Sequence, residues 1–455
     1  MNLYEKKISS LITITFIFLI LLRLFFWFSP THQTAIEPVY LWPIVVTLSA
    51  LIIFNAIKTR NQVVLISSGI AIWLYLSTVI NGDYYLKYNL RFVIGVWIVF
   101  IVSFGILWLC DKKYRDACFN AIAIAYLSMV TLFGLVGIIA AINHVPFQSP
   151  WEGGILGMRD GRLFGFSYHP NAVASMTIPA LCIALYASYK YKAKTVKALM
   201  FLCVIVHVIV VYLTLSRTCL FIVCLTLGWF ALISVVRCLK NKKDFIRIVA
   251  GIISAIVIGG SVFMLATPTS AFIQTANKAK VIEETFLVKT AIAETTAPEI
   301  PMSIFSRDSS KEQLMSFNGR TNIWLAGIDY IKQRPITLLI GESDNIVARL
   351  PYKLIGNPAN HFHNVPVEML MLGGLPALAL YTLLMWYVAK ACWRLVFTRG
   401  MDTSYRMLAA IPPILFFNGL LEIHPGLSGN IMDMFFLCIC AYLIIVEKSM
   451  FAKQE

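Results

Sequence analysis

The chain has 455 residues, of which 59% are hydrophobic and 13% charged, with a formal net charge of +15. Soluble domains carry about 45–50% apolar and about 25% charged residues, so the composition argues against an ordinary soluble enzyme. The positive charge is spread over short segments between apolar runs rather than gathered in one patch, which argues against a nucleic-acid surface and fits membrane topology.

Apolar runs of about 18 residues or more, each long enough to cross a bilayer core, recur along the chain. They predict an all-α polytopic membrane protein of about twelve transmembrane helices, at 8–28, 39–57, 63–80, 92–110, 119–142, 171–188, 196–214, 218–236, 247–266, 364–389, 405–422 and 430–447. A β-barrel would show short alternating segments instead. The first run, ISSLITITFIFLILLRLFFWF, ends in bulky aromatics without a small-residue cleavage site. It is expected to be a retained helix and not a signal peptide. The predicted organisation is nine spans over residues 1–266, one long loop over 267–361 with short amphipathic helices, and three spans over 362–455.

The connections alternate in charge. KTRNQ, DKKYRD, YKYKAKTVK, RCLKNKKDFIR and KACWRLVFTRG are basic, and both termini join this set. The opposite set, including the long loop, carries far fewer Lys and Arg. The positive-inside rule therefore predicts cytoplasmic termini. The ten cysteines fall in spans or in the basic connections and read as small apolar residues.

Within the long loop, residues 272–300 mix Lys, Glu, Thr and Ala, and a helix near the interface is expected there. Further on, Ile323, Trp324, Ala326, Gly327, Ile328 and Ile331 give one apolar face at helical spacing. That helix begins near Arg320, with Asn318 or Thr321 as cap, and Pro335 ends it.

Polar residues at a membrane edge are the informative ones. GRLFGFSYHPNAVASM opens the sixth span with Arg162, His169, Pro170 and Asn171. Either Asn171 caps that helix while Arg162 meets headgroups, or both belong to a polar mouth. Arg217, in LTLSRTCLF, has no acidic residue within twenty positions. It either snorkels to headgroups or grips an anion with its planar fork. Arg320 opens a helix, where free N–H groups add to its charge; the alternative is pairing with Asp308 or Asp329.

In NPANHFHNVPVEMLMLGGLPALALY, His361 and His363 alternate, as side chains facing opposite ways in an extended segment would, and Asn364 is placed to cap the tenth span. A histidine at a span edge serves as an interfacial hydrogen-bonding group or as a base that takes a hydroxyl proton near neutral pH. A zinc site from His361, His363 and His424 lacks a nearby carboxylate or cysteine and is disfavoured. Two arginines without nearby acids and a histidine together suggest a transferase acting on a lipid-linked phosphate donor. A transporter or flippase would need polar groups through the midplane and related halves, and the candidate groups gather on one face.

The stretch FNGRTNIWLAGIDYIKQRPITLLIGES resembles the signature of the O-antigen ligase and polymerase superfamily, at Gly319, Arg320, Trp324, Pro335 and Gly341. TLSRT, GRLFGFSYHPNAVA and HNVPVEMLMLGGLPA resemble three further motifs of that family, in the expected order. The resemblance covers about residues 160–385, with Ala377 in place of a glycine and no G-x-G near Gly341.

It implies a GT-C type fold and metal-independent glycan transfer from undecaprenyl diphosphate in the bacterial inner membrane, with no cofactor and the active site periplasmic. Arg217 and Arg320 would bind the diphosphate, and His363 would act as base or position the acceptor. Arg162, Asn171, His361, Asn364 and Trp324 would line the substrate site. Chain size and the single long loop favour a ligase using a lipid A-core acceptor over a polymerase of lipid-linked repeat units.

Overall fold

The computed structural model describes residues 2–27, 37–81, 86–143, 145, 157–159, 162–165, 170–239, 246, 248–261, 320–355, 361–398, 400–421 and 430–451. The helices are α1 (Asn2–Trp27), α2 (Glu37–Lys58), α3 (Gln62–Ile80), α4 (Leu86–Trp97), α5 (Phe104–Leu109), α6 (Arg115–Ile142), α7 (Pro170–Lys190), α8 (Lys194–Thr214) and α9 (Arg217–Cys238). After these come the apolar helix α10 (Ile248–Ser261), then α11 (Arg320–Gln333), α12 (Thr337–Ile340), α13 (Asp344–Val347), α14 (Leu350–Ile355), α15 (Val365–Phe397), α16 (Thr403–Ala409), α17 (Ile411–Gly419) and α18 (Ile431–Phe451). A two-residue antiparallel ladder pairs Met158 with Leu163 and Arg159 with Arg162.

Ten helices among the described residues are long and apolar enough to cross a membrane, and the chain is a multi-pass, helical membrane protein. Ten of the twelve predicted spans correspond to these. The ninth is described only as the fourteen residues of α10. The eleventh is two short helices, α16 and α17, that meet at Ala410. Pro412 and Pro413 open the second of them, and a proline without an N–H cannot continue a preceding helix. The predicted helix over 272–300 lies outside the described residues.

The spans sort by burial. α18 is the axis of the bundle: every residue from Ile431 to Glu447 is buried. Two ring stacks fix it to α6, Phe119 on Tyr442 with centroids 3.8 Å apart and Tyr126 on Phe435 at 4.2 Å. α7 is enclosed almost as fully. Helices such as α1 and α8 instead leave Leu11, Ile14, Phe201 and Leu202 exposed, as lipid-facing surfaces require. Between apolar helices in lipid, close packing and buried hydrogen bonds supply the association that water-driven burial supplies elsewhere.

Hydrogen bonds to irregular backbone show how the bundle tolerates two departures from α-helix. Ile98–Ser103, between α4 and α5, is π-helical. The wider turn frees carbonyls, and Ser67 Oγ donates to Phe100 O while Ser103 Oγ donates to Ile98 O at 2.7 Å.

The second departure is in α15, where Gly374 sits at φ 64°, ψ −164° and breaks the helix. Three carbonyls released by the break are each met. Glu342 N–H donates to Met371 O at 2.7 Å, Ser77 Oγ to Leu372 O at 2.6 Å and Trp73 Nε1 to Gly373 O at 2.6 Å. An unmet carbonyl in hydrocarbon costs several kcal/mol, so this interlocking of α3, α15 and the turn after α12 is obligatory.

Gly341 and Gly374 make it possible. Both have positive φ, and a Cβ on Gly341 would overlap the Leu372–Gly373 backbone, while one on Gly374 would lie 2.6 Å from Leu338 O. Gly374→Ala is expected to lower stability by about 2–4 kcal/mol, combining left-handed strain and overpacking. Loss of monodisperse protein in detergent and a lowered Tm would register it, whereas Gly400→Ala, at φ +78° with nothing within 4 Å of its Cβ, pays only the strain.

Candidate active site

The predicted site residues fall into two groups at one end of the bundle. The first is built around the turn between α8 and α9. Leu215 adopts φ 52°, ending α8 in a left-handed residue, and Ser216 leads directly into Arg217, the first residue of α9. Arg162 bridges this turn to the start of α7. Its Nε donates to Thr214 O at 2.9 Å and its Nη2 to Asn171 Oδ1 at 3.0 Å. A cation at a helix C-terminal carbonyl is electrostatically favoured. Arg162 is therefore tied to protein acceptors, and Asn171 serves it as one of them. His169 lies outside the described residues.

Arg217 itself is exposed and makes no ion pair among the described residues.

The second group joins α11 to the start of α15. Arg320 is the first residue of α11 and is 8% exposed. Arg320 and Thr321 are both helical, so Thr321 is inside the helix and not its cap; Asn318 lies outside the described residues. Asp329, one proposed partner of Arg320, instead pairs with Lys332 at 2.8 Å. One turn along from Arg320, Trp324 Nε1 donates to Phe362 O at 2.7 Å. The Phe362 ring is fully buried against Gly327, where a Cβ would approach it to 2.5 Å. Gln333 ends α11 ahead of Pro335, as expected.

The histidines do not face opposite ways as an extended segment would place them. His363 has φ +53°, which turns the chain back, and the two imidazole rings lie 4.0 Å apart at 59°. The His363 N–H donates to His361 Nδ1 at 3.2 Å. Because a backbone N–H can only donate, Nδ1 of His361 is an acceptor, which puts the proton of the neutral ring on Nε2. Asn364 caps α15, its Oδ1 accepting from Val367 N–H at 3.0 Å, and its Nδ2 donates to Leu420 O at 2.9 Å.

α17 connects the two groups. Leu420, just beyond its end, receives Asn364, and Phe417 packs on Phe221 of α9 with centroids 5.9 Å apart. Phe221 is one helical turn from Arg217. The histidine turn and the Arg217 turn thus border the same short helix.

Arg217 and Arg320 share a local arrangement. Arg217 opens α9 directly after Ser216, Arg320 is the first described residue of α11, and neither helix carries an acidic residue in its first turn. A cation at a helix N-terminus opposes the helix dipole. The same cation, beside unpaired N–H groups, suits a bound anion.

Sequence reasoning passed over Glu368, buried in the first turn of α15 with Oε2 accepting from Phe362 N–H at 2.8 Å. A carboxylate inside VPVEMLML was the available signal. Glu342 was likewise passed over. Its buried carboxylate takes Thr337 Oγ1 at 2.9 Å, Tyr330 OH at 3.1 Å and Arg334 Nη1 at 3.2 Å.

Fold and site together define a multi-pass helical membrane protein with arginines and histidines assembled at one end of its bundle. Residues 173–382, from the first turn of α7 into α15, match the family model described as O-antigen ligase. This segment, which contains Arg217, Arg320, Trp324 and both histidines, is similar to that family. No curated protein matches the chain.

Proposed function

We propose that the chain is a metal-independent glycosyltransferase of GT-C type that moves an O-antigen glycan from undecaprenyl diphosphate to the lipid A-core oligosaccharide. The observation that carries this reading is the pair of arginine-led helix starts and the histidine turn at one end of the bundle, within the segment matched by the O-antigen ligase model. In this reading that end faces the periplasm, the termini are cytoplasmic, and the membrane is the bacterial inner membrane.

In the proposed step an acceptor hydroxyl oxygen attacks the anomeric carbon of the donor sugar. His363 takes the hydroxyl proton as the new C–O bond forms. The bond from the anomeric carbon to the diphosphate breaks, and the electron pair leaves with undecaprenyl diphosphate. Arg217 and Arg320 hold the diphosphate oxygens, where developing charge is strongest in the transition state. Trp324, His361 and Asn364 shape the acceptor side of the site. Arg162 and Asn171 hold the Arg217 turn in place and border the donor.

Purified protein in detergent, given undecaprenyl-diphosphate glycan and rough lipopolysaccharide, is expected to yield glycan-bearing lipopolysaccharide. Lengthening of the lipid-linked glycan when no lipid A acceptor is added would instead identify a polymerase. In a deletion strain the ligase reading requires loss of the whole lipopolysaccharide ladder; a single-repeat band would sink it in favour of polymerisation.

A further inference from the structure

We infer that Glu368 is a positioning residue of this site, holding the backbone that presents His361 and His363 through the peptide of Phe362. The inference rests on the reading of His363 as the base.

Phe362 stands between the two histidines and is held at three points. Its N–H donates to Glu368 Oε2 at 2.8 Å, its carbonyl accepts from Trp324 Nε1 at 2.7 Å, and its ring fills the space left by Gly327. Glu368 is 3% exposed and comes from α15, while Trp324 and Gly327 come from α11. The peptide between the histidines is thereby clamped between two helices, one of which carries Arg320 a single turn from Trp324.

The carboxylate is not there to cap α15. In a capping box an acidic side chain returns to the N–H of the cap residue. The cap here is Asn364, and Glu368 reaches two residues beyond it. The group it serves lies outside the helix, in the turn that precedes it.

That turn needs outside support. His363 occupies the left-handed region at φ +53°. A non-glycine residue there is strained and persists only where its surroundings over-determine it. Glu368 and Trp324 supply that determination on the residue immediately before. Displacing the turn would shift both imidazoles relative to Arg320, and a misplacement of about 1 Å in a catalytic array lowers rate by about 10²-fold.

The acceptor function depends on reach, not on charge. Glutamine keeps an oxygen at the same distance from Phe362 N–H; aspartate keeps the charge but is one methylene short. Glu368→Gln, Glu368→Asp and Glu368→Ala are to be purified, checked by Tm, and assayed with the same donor and acceptor pair. We expect Gln to retain kcat within about threefold, and Asp and Ala to lose about 10²-fold in kcat with the donor KM little changed. If Ala does not fold, the order of Gln and Asp decides. Activity kept by Asp and lost by Gln would overturn the inference in favour of a charge role, as would equal rates in every folded variant.

His363→Asn is run alongside. An active His363→Asn enzyme removes the reading on which the inference rests. An inactive one, together with Glu368 variants at wild-type rate, removes the inference alone.

Discussion

Replacing His363 with asparagine is expected to lower glycan transfer by about 10²–10⁴-fold, the range lost when a positioned general base is removed, with no change in Tm. The choice of asparagine matters. His363 lies at φ +53°, where alanine would add backbone strain of its own, whereas asparagine tolerates that region. The substitution therefore removes the imidazole and keeps the turn. His361→Asn is expected to do less, about tenfold or below. His361 Nδ1 accepts the His363 N–H at 3.2 Å, and an asparagine oxygen is also an acceptor. Rates measured on folded protein at saturating donor and acceptor separate the two positions. Should His361→Asn be the inactive variant and His363→Asn the active one, the base has been assigned to the wrong ring.

The arginines should fail in a different way. Arg320→Ala and Arg217→Ala are each expected to lower kcat by about 10²–10³-fold, the size of effect seen when one donor to a developing negative charge is removed. Lysine at either position should recover only part of this, since it restores a point charge without the fork that spans two oxygens. The loss should fall mainly on kcat, because in the proposed step charge accumulates on the diphosphate as the bond to the sugar breaks.

Stability adds an independent arm at Arg217, which is exposed at the start of α9 with no acidic residue in its first turn. Arg217→Gln should leave Tm unchanged or slightly raised, because a cation is withdrawn from a helix N-terminus, an effect of about 0.3–1 kcal/mol. An Arg217→Gln protein that is fully active but less stable would make the residue structural and remove half of the proposed anion site.

Much of this molecule was legible in its sequence because lipid imposes simple rules. A crossing helix must satisfy its own backbone and carry an apolar surface, so long apolar runs name the spans. Charge between them suggests orientation. Local punctuation was equally readable: Asn364 caps α15 and Pro335 follows the end of α11, both as expected.

What the sequence did not reveal was which helices touch. In water an amphipathic stripe marks the buried face, but in lipid the outer face is as apolar as the core. α18 is buried on all sides, yet α8, half exposed to lipid, has a comparable apolar sequence. Periodicity could not separate them. The break at Gly374, the pairing of the two imidazoles and the Arg162 bridge between Thr214 and Asn171 all depend on neighbours distant in sequence or on one unusual backbone angle. The sequence by itself determined that this chain spans a membrane many times and which polar residues stand at the ends of its spans. Only the tertiary structure decided that the N–H of Phe362 would meet Glu368 and its carbonyl Trp324, because that clamp exists only once α11 is packed beside the start of α15.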